Sequence, residues 1–295
     1  MVINMIKKIL GYICVVLLFF LAMLVYSNTY ITTCKYTVNC EKISQNFDGF
    51  KIAQVSDLHS AVFGKDNCRL IKAIEDLEPD IVVLTGDMVN STDTEFDVFY
   101  DFAEQIAKKY PTYFIYGNHE LILCDEYRQE IVSTIKTFGV TVLDNQMIQL
   151  REGNSSINLY GMWFNLRFYR DITDDTNNEY EFTLEQMQKI LGNCDKDEFN
   201  LLLTHNPVYF SAYSEWGADL TLAGHLHGGM IRIPFVGGLF SPEKVNFPKY
   251  DGGEFTQDDN KMIVSRGIGN GLEGFRFNNC PELDLITLKS LENEK

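Results

Sequence analysis

The segment LAGHLHGGM, residues 222–230, places His225 and His227 two residues apart with glycines on both sides. The whole chain has only five histidines, and this segment directly follows an apolar run. One interpretation is a surface loop that happens to contain histidine. The other is a pair of metal ligands, because imidazole nitrogens bind transition metals. The rest of the sequence must distinguish between these two interpretations.

Similar polar side chains follow four more apolar runs. QVSDLH ends in Asp57 and His59, LTGD in Asp87, YGNHE in Asn118 and His119, and LLTHNP in His205. In open α/β sheets the carboxyl ends of the strands converge on one crevice. We therefore expect all of these side chains, which together with the first pair include every histidine of the protein, to meet in one place.

Each of these residues also has a purely structural interpretation. Asp57 could cap a helix, Asp87 and Asn118 could be turn residues, and His205 could be a core histidine. These alternatives do not explain why every histidine occurs at the end of an apolar run. Imidazoles, carboxylates and one amide, without thiolates, suit Mn, Fe or Zn. The set is too large for one tetrahedral zinc, but it suffices for two metals bridged by a carboxylate and for one catalytic residue.

Strands must position these residues, and strand-like and helix-like segments do alternate along the chain. The predicted strands are FKIAQVSD (50–57), DIVVLTGD (80–87), TYFIYGNHE (112–120), FNLLLTHNP and ADLTLAGHLH. Helices are predicted in NCRLIKAIEDLEP, EFDVFYDFAEQIAKKYP, EYRQEIVSTIKTFG and, after the acidic segment RDITDDTNNEYEF, in LEQMQKILGN. A hairpin is predicted around the turn Gly-Asn-Ser-Ser. This order predicts one α/β domain with additional β structure in its second half.

The N-terminal segment differs from the rest of the chain. Lys7 and Lys8 precede the apolar run ILGYICVVLLFFLAMLVY, and the next charge is Lys35. This run is long enough to span a bilayer, and the two lysines favour a cytoplasmic N-terminus. We expect a membrane anchor over residues 1–33 and a domain over residues 34–295 outside the cytoplasm. The poor cleavage site favours a retained anchor over a signal peptide.

The composition limits the possible partners. A net charge of −16 argues against nucleic acid, because binding phosphate backbones requires a basic surface. The seven cysteines include no C-x-x-C pair, which argues against a zinc ribbon and leaves disulfide bonding open.

In this order, DLH, GDMVN, GNHE, THNP and GHLHGG resemble the five sequence blocks of the calcineurin-like metallophosphoesterases, over residues 50–232. The resemblance implies a four-layer α/β/β/α sandwich and a site for two divalent metal ions. It implies that one metal is held by Asp57, His59, Asp87 and His227. It implies that Asp87 bridges to the second metal, which is also held by Asn118, His205 and His225. His119 would face the substrate phosphate and protonate the leaving oxygen.

One position departs from this pattern. Asn90 stands where many family members have Asp, but that position is not a metal ligand in the family.

The anchor, SDLHSAVFG, GGMIRIP and the tail SRGIGNGLEGFRFNNCPEL are similar to a bacterial membrane-associated branch of the family. Some members of that branch are UDP-2,3-diacylglucosamine pyrophosphatases. The expected substrate is therefore a phosphoester or pyrophosphate, and tethering favours a lipid-linked or envelope substrate. Arg232 and Arg276 are candidates for binding its phosphate, with structural ion pairs as the alternative. Glu120 either supports the site or is a solvated helix acid.

Two other functions also use clusters of metal-binding residues. Metal-dependent amidohydrolases and β-lactamase-like hydrolases also gather His and Asp, but they use H-x-H-x-D-H or similar clusters, which the chain lacks. A membrane-tethered metal-binding module without turnover is the non-enzymatic alternative. His119 argues against such a module, because pure metal binding has no use for this residue.

Overall fold

The computed structural model describes residues 2–169, 182–271 and 274–291, so the predicted acidic segment lies almost wholly outside the described residues. The helices are α1 Val2–Thr29, α2 Cys68–Glu75, α3 Asp97–Ala107, α4 Asn118–Ile122, α5 Asp125–Thr137, α6 Leu184–Leu191 and α7 Phe210–Trp216. The first half of the chain forms strands β1 Thr32–Cys40, β2 Lys51–Val55, β3 Ile81–Leu84, β4 Thr112–Phe114, β5 Thr141–Val142, β6 Gln146–Glu152 and β7 Ser155–Met162. The second half forms β8 Asn200–Thr204, β9 Leu220–Ala223, β10 Arg232–Ile233, β11 Gly237–Gly238, β12 Gly253–Gln257, β13 Asn260–Val264 and β14 Glu282–Ser290.

Most strands belong to two six-stranded sheets. The first has the order β1-β14-β2-β3-β4-β5 and the second the order β12-β13-β9-β8-β7-β6. Strands β2, β3, β4 and β5 are parallel to one another, as are β7, β8, β9 and β13. The carboxyl ends of the predicted site strands therefore lie at one edge of each sheet.

The two sheets pack face to face, and helices cover their outer faces. Leu201, Leu222 and Ile286 belong to the buried cluster between the sheets. Helices α2, α3 and α5 share a second cluster with the outer face of the first sheet, and α6 and α7 share a third with the second sheet. This arrangement confirms the predicted four-layer α/β/β/α sandwich.

Side-chain alternation explains how one strand serves two layers. In β2, Ile52 joins the cluster between the sheets, whereas Ala53 and Val55 join the cluster beneath the helices. All three are completely buried. Successive side chains of a strand point to opposite faces, so a strand covered on both faces is mostly apolar. The buried exception in β2 is Gln54, whose side chain donates to the carbonyl of Ala223 at 2.8 Å.

The predicted strand over residues 112–120 is too long. The structure ends β4 at Phe114 and begins the short helix α4 at Asn118. Gly117 is the N-cap residue of α4, and the Glu120 carboxylate accepts its backbone N–H at 2.8 Å. This contact from the Glu120 side chain to the N-cap backbone supports a helix start where apolar composition predicts further strand.

The predicted hairpin is present as β6 and β7, paired antiparallel from Gln146 with Gly161 to Glu152 with Ser155. The residues before it differ from the prediction, because β5 pairs with β4 in the first sheet. Strand β1 is not among the predicted strands, and it pairs in parallel with β14 along its whole length.

Helix α1 is long and apolar enough to cross a membrane, with a mean hydropathy of 2.7 over its most apolar window. Its side chains are exposed over most of its length. Ser27, near its C-terminal end, is completely buried against the body of the protein.

Candidate metal centre

The polar side chains at the strand ends meet between the carboxyl edges of the two sheets. Three groups of donors have ligand atoms that lie within 4.8 Å of one another: Asp57, His59 and His227; His59, Asp87 and His119; and Asp87, His205 and His225. The first group draws on β2 and β9, and the third on β3, β8 and β9, so each combines donors from both sheets.

The backbone adopts an uncommon conformation at most of these residues. Positive φ angles occur at Asp57 (53°), His59 (49°), Asp87 (55°), His225 (74°) and His227 (50°). Residues other than glycine rarely adopt this region, and strain of this kind clusters at functional sites. The conformation turns the chain sharply at each strand end and directs the side chains into one space.

Two glycines allow the loops to approach one another. A Cβ atom at Gly224 would clash with Ser56 and Asp57, and one at Gly117 would clash with Asp87. Both positions therefore exclude any side chain, since the contacted atoms belong to the packed site itself.

Hydrogen bonds fix which ring nitrogen of three histidines faces the site. Nδ1 of His205 lies 2.7 Å from the carbonyl oxygen of Thr85. Nδ1 therefore donates a hydrogen bond to this oxygen, and Nε2 carries a free lone pair. Nδ1 of His59 likewise lies 3.1 Å from Oδ1 of Asn90. Partners of this kind orient metal-binding imidazoles and set their tautomer.

His225 has the opposite orientation. Its Nε2 lies 3.0 Å from Oε1 of Glu243, which leaves Nδ1 as the nitrogen that faces the site. Glu243 lies far beyond His225 and His227 in the sequence, and nothing in its spacing from them predicts this contact.

Around Asp57 the donors lie closer together than lone pairs tolerate without a cation or a proton between them. Nε2 of His59 is 3.1 Å from Nε2 of His227, which is 3.4 Å from Oδ1 of Asp57. His227 differs from the other histidines, because the Arg276 guanidinium lies 3.3 Å from its Nδ1. A cation at Nε2 would require Arg276 to move away from that nitrogen, since the ring proton would then be on Nδ1.

Around Asp87 the donors converge without bonding one another. Nε2 of His205 lies 3.0 Å from Oδ2 of Asp87, yet it makes no aligned hydrogen bond. Oδ1 of Asn118 is also buried without a hydrogen-bond partner among the described residues. Buried polar atoms are rarely left without a partner, so these two orphan atoms fit a cation that they share with Asp87.

The electrostatics of the site favour neutral imidazole at one end and positive charge at the other. Burial lowers the pKa of His59 to about 4 and that of His227 well below its usual value. Burial also lowers the pKa of His205, but the carboxylates of Asp87 and Asp57 outweigh it and raise that pKa to about 10. The position beside Asp87 thus favours a positive charge, which a proton or a metal ion can supply.

His119 is more exposed than the other site histidines, with 13% of its side chain accessible. The backbone N–H of Ser91 donates to its Nδ1 at 2.9 Å, which places the proton of the neutral ring on Nε2. That Nε2 lies 4.0 Å from Oδ2 of Asp87, and the backbone N–H of His119 donates to Oδ1 of Asp87 at 2.7 Å. His119 is thus held at the accessible side of the centre with an N–H available to donate.

Glu120 is completely buried and supports the loop of Asp87. Its carboxylate accepts the backbone N–H groups of Asp87 at 2.9 Å and Met88 at 2.6 Å. Burial and the neighbouring carboxylate raise the pKa of Glu120 to about 7, and the N–H donors oppose this shift. The alternative of a solvated helix acid is therefore wrong.

The two arginine candidates are held by the protein itself. Arg232 pairs with Asp251 at 3.1 Å and donates to the carbonyl of Gly228 at 3.0 Å. Arg276 is 1% exposed, and its guanidinium donates to the carbonyl of Gly269 beside His227. These contacts match the structural alternative for Arg232 and place Arg276 behind a ligand candidate.

Sequence comparisons agree with this site. Residues 50–229 match the sequence profile of the calcineurin-like phosphoesterases. The chain is 30% identical over 270 residues to YkuE, an uncharacterized metallophosphoesterase of Bacillus subtilis, across 88% of this chain and 86% of that protein. It is 29% identical over 243 residues to the phosphodiesterase YaeI of Escherichia coli, across 81% of this chain and 82% of that protein.

The likeness to solved structures is more distant. A phosphopantetheinyl hydrolase of Mycobacterium tuberculosis has a TM-score of 0.47 and 11% identity, over 76% of this chain and 90% of that one. The family assignment rests instead on the sequence profile and on the relative with 30% identity. The chain belongs to the calcineurin-like phosphoesterase family and is a metal-dependent phosphohydrolase.

Proposed function

We propose that the protein hydrolyses a phosphoester or pyrophosphate bond with two divalent cations, Mn, Fe or Zn, which share Asp87 as a ligand. The observation that carries this proposal is that Asp87 belongs both to a donor group with His59 and His119 and to a donor group with His205 and His225. One carboxylate that serves two cations holds them close together, as two-metal hydrolysis requires.

The residues divide into two ligand sets. Asp57, His59, Asp87 and His227 would hold one cation, and Asp87, Asn118, His205 and His225 would hold the other. When bound, two such cations activate a water molecule and neutralise the charge of the phosphoryl group. The orphaned Oδ1 of Asn118 and Nε2 of His205 support the second set.

His119 would act on the leaving group. Its side chain is 13% accessible, its Nε2 lies 4.0 Å from Oδ2 of Asp87, and the Ser91 N–H holds the ring in that orientation. From there it can donate a hydrogen bond and then a proton to the departing oxygen. Arg276 is buried behind His227 and, in this proposal, does not contact the substrate.

The substrate is proposed to carry a lipid, with a UDP-diacylglucosamine-like diphosphate as one candidate. Residues 1–33 would anchor the protein with its N-terminus in the cytoplasm, and residues 34–295 would form the catalytic domain outside it. The apolar length of α1 supports the anchor. The likeness to a relative named a phosphodiesterase supports a diester substrate.

Turnover of bis-p-nitrophenyl phosphate and p-nitrophenyl phosphate by the full chain with added Mn²⁺ tests the proposal. We expect hydrolysis of at least one ester, its loss in Asp87→Ala and its loss on chelation. A wild-type protein that binds Mn²⁺ but hydrolyses neither ester would instead support a membrane-tethered metal-binding module.

A further inference from the structure

Six large apolar side chains are exposed in segments that come after His227 in the sequence. The members of this set, which we name the apolar rim, are Ile233, Phe235, Val236, Phe240, Phe247 and Phe275. Phe235 is fully exposed and Phe247 is 57% exposed. Scattered exposed apolar residues are ordinary, but a contiguous set of aromatic residues marks an interaction surface.

Backbone hydrogen bonds join the segments that carry the rim residues. Strands β10 and β11 form a hairpin with Phe235 and Val236 in its turn. The N–H of Phe247 donates to the carbonyl of Leu239 at 3.0 Å, which joins the neighbouring segment to this hairpin. On the other side, the N–H of Arg232 donates to the carbonyl of Phe277 at 3.1 Å, beside Phe275.

The rim lies beside helix α1. Phe277 stacks on Phe20 of this helix with ring centroids 5.8 Å apart. The end of the helix is fastened to the same loop, since Asn28 bonds both the carbonyl and the N–H of Arg276, at 2.8 and 2.9 Å. The N–H of Asn278 donates to Ser27 at 2.9 Å.

The level of Phe20 on the helix sets the depth of its partner Phe277, beside the rim, in a bilayer. Phe20 is twelve residues beyond Lys8, so it lies about 18 Å along the helix from that charge. The hydrocarbon core of a bilayer is about 30 Å thick. With α1 across a membrane and Lys8 at the inner boundary, Phe277 lies below the outer boundary of the hydrocarbon.

We infer that the apolar rim is a membrane-contacting surface that inserts into the leaflet where α1 emerges. The occupant is lipid, because the rim adjoins the one segment of the described chain that is apolar enough to lie in a bilayer. Phe is among the residue types that interfacial segments insert into the boundary between headgroups and acyl chains. With a net charge of −16, the contact depends on apolar insertion and not on attraction to anionic lipids.

The inserted loops also hold the metal centre. Glu243, between two rim residues in the chain, bonds His225, and Arg276, next to Phe275, contacts His227. The rim therefore keeps the metal centre near the lipid headgroups. The membrane contact itself does not depend on the proposed hydrolysis, but the delivery of a lipid-linked phosphoester to the site does.

Tryptophan quenching in bilayers tests this inference with the full chain. Phe235→Trp and Phe247→Trp would be reconstituted in nanodiscs of phosphatidylcholine with brominated acyl chains, which quench tryptophan on contact. The emission of wild-type protein, with its two tryptophans, is subtracted. The matched control is Met147→Trp, because Met147 is 46% exposed on the edge strand β6 of the second sheet.

We expect brominated lipid to reduce the emission of both rim variants and to leave that of Met147→Trp unchanged. Rim tryptophans with blue-shifted but unquenched emission would indicate a second protein copy on the rim and overturn the inference. Unshifted and unquenched emission would indicate a rim in water and also overturn it. Turnover of bis-p-nitrophenyl phosphate by the same samples tests the proposed hydrolysis separately, since quenching does not depend on it.

Discussion

The buried carboxylate of Glu120 accepts the backbone N–H of Asp87 at 2.9 Å, which fixes the loop that carries the proposed bridging ligand. In Glu120→Gln the NH₂ group of the side chain would face backbone N–H groups, so donors would oppose donors. Because such supporting partners change metal affinity about 10–100-fold, we expect Glu120→Gln to weaken Mn²⁺ binding by a factor in this range. Calorimetric titration measures it, and excess Mn²⁺ should restore turnover.

The control for this substitution is Glu126→Gln, an exposed glutamate of α5. It should bind Mn²⁺ as the wild type does. A Glu120→Gln protein with unchanged affinity but reduced turnover would show that Glu120 does not position the ligand.

The bridging role of Asp87 predicts a difference in metal stoichiometry. Asp87→Ala should lose both cations, because one side chain serves both donor groups. Asp57→Ala should lose one, since Asp57 belongs only to the group with His59 and His227. Elemental analysis of the purified variants measures the metal content, and two metals per chain in Asp87→Ala would contradict the bridge.

The role of His119 predicts a dependence on the leaving group. His119→Ala should keep both metals and lose turnover by about 10²–10⁴-fold, the usual contribution of a proton donor. Esters with a p-nitrophenolate leaving group should lose least, because this group needs little protonation, and alkyl esters should lose most. His119 also forms a donor group with His59 and Asp87. A metal-depleted variant with equal losses for both esters would assign it as a ligand.

The apolar rim predicts a preference for substrates in a membrane. Hexadecyl p-nitrophenyl phosphate in vesicles and soluble bis-p-nitrophenyl phosphate release the same leaving group. Since burying a Phe side chain is worth about 1.5–3 kcal/mol, Phe235→Ser should lower the ratio of the two turnover rates by about tenfold. Met147→Ser is the control, and an equal change of the ratio in both variants would count against lipid delivery through the rim.

Asp284 predicts an effect of pH on stability. It is completely buried between the sheets, and neither carboxylate oxygen has a hydrogen-bond partner among the described residues. Burial, followed by the charge of Glu282, raises the pKa of Asp284 well above its ordinary value. Well below pH 4, the carboxyl is largely protonated in both states. As pH rises, the unfolded state ionises first, so the folded state loses stability until its own raised pKa is passed.

Asp284→Asn removes this loss. We expect it to raise Tm at pH 8 by at least about 2–4 °C, the shift that 1 kcal/mol gives in a domain of this size, and by less at pH 4. Differential scanning fluorimetry measures both values. The exposed Asp259→Asn should change neither, and a lower Tm for Asp284→Asn at pH 8 would show that the carboxylate is ionised and compensated.

The sequence predicts the convergence of the site residues because the rule for parallel strands is local: a ligand at the end of β2 or β8 must lie at the same edge as its neighbours. It does not predict Glu243, whose contact with His225 depends on the course of a long loop. Glu120 is ambiguous from the sequence, since a buried and a solvated helix acid have the same spacing.

Strand β1 was missed for a different reason. Its alternation of exposed and less exposed residues, such as Lys35 beside Tyr36, is a period-two pattern, but polar Thr and Asn residues weaken it. Its partner is β14 at the far end of the sequence. A pairing between the two ends of a chain leaves no local signal, so only the assembled sheet reveals it.

The position of β14 has a consequence for the order of assembly. It lies between β1 and β2, so these two strands are separated in the sheet by a strand that is synthesised much later than either. The first sheet cannot close until β14 has been synthesised, and until then the edges of β1 and β2 that it covers stay unpaired. Contacts between such distant segments form slowly. Before β14 pairs, the newly made protein therefore has unpaired strand edges, which favour aggregation and proteolysis. The pairing of β14 ends this exposure.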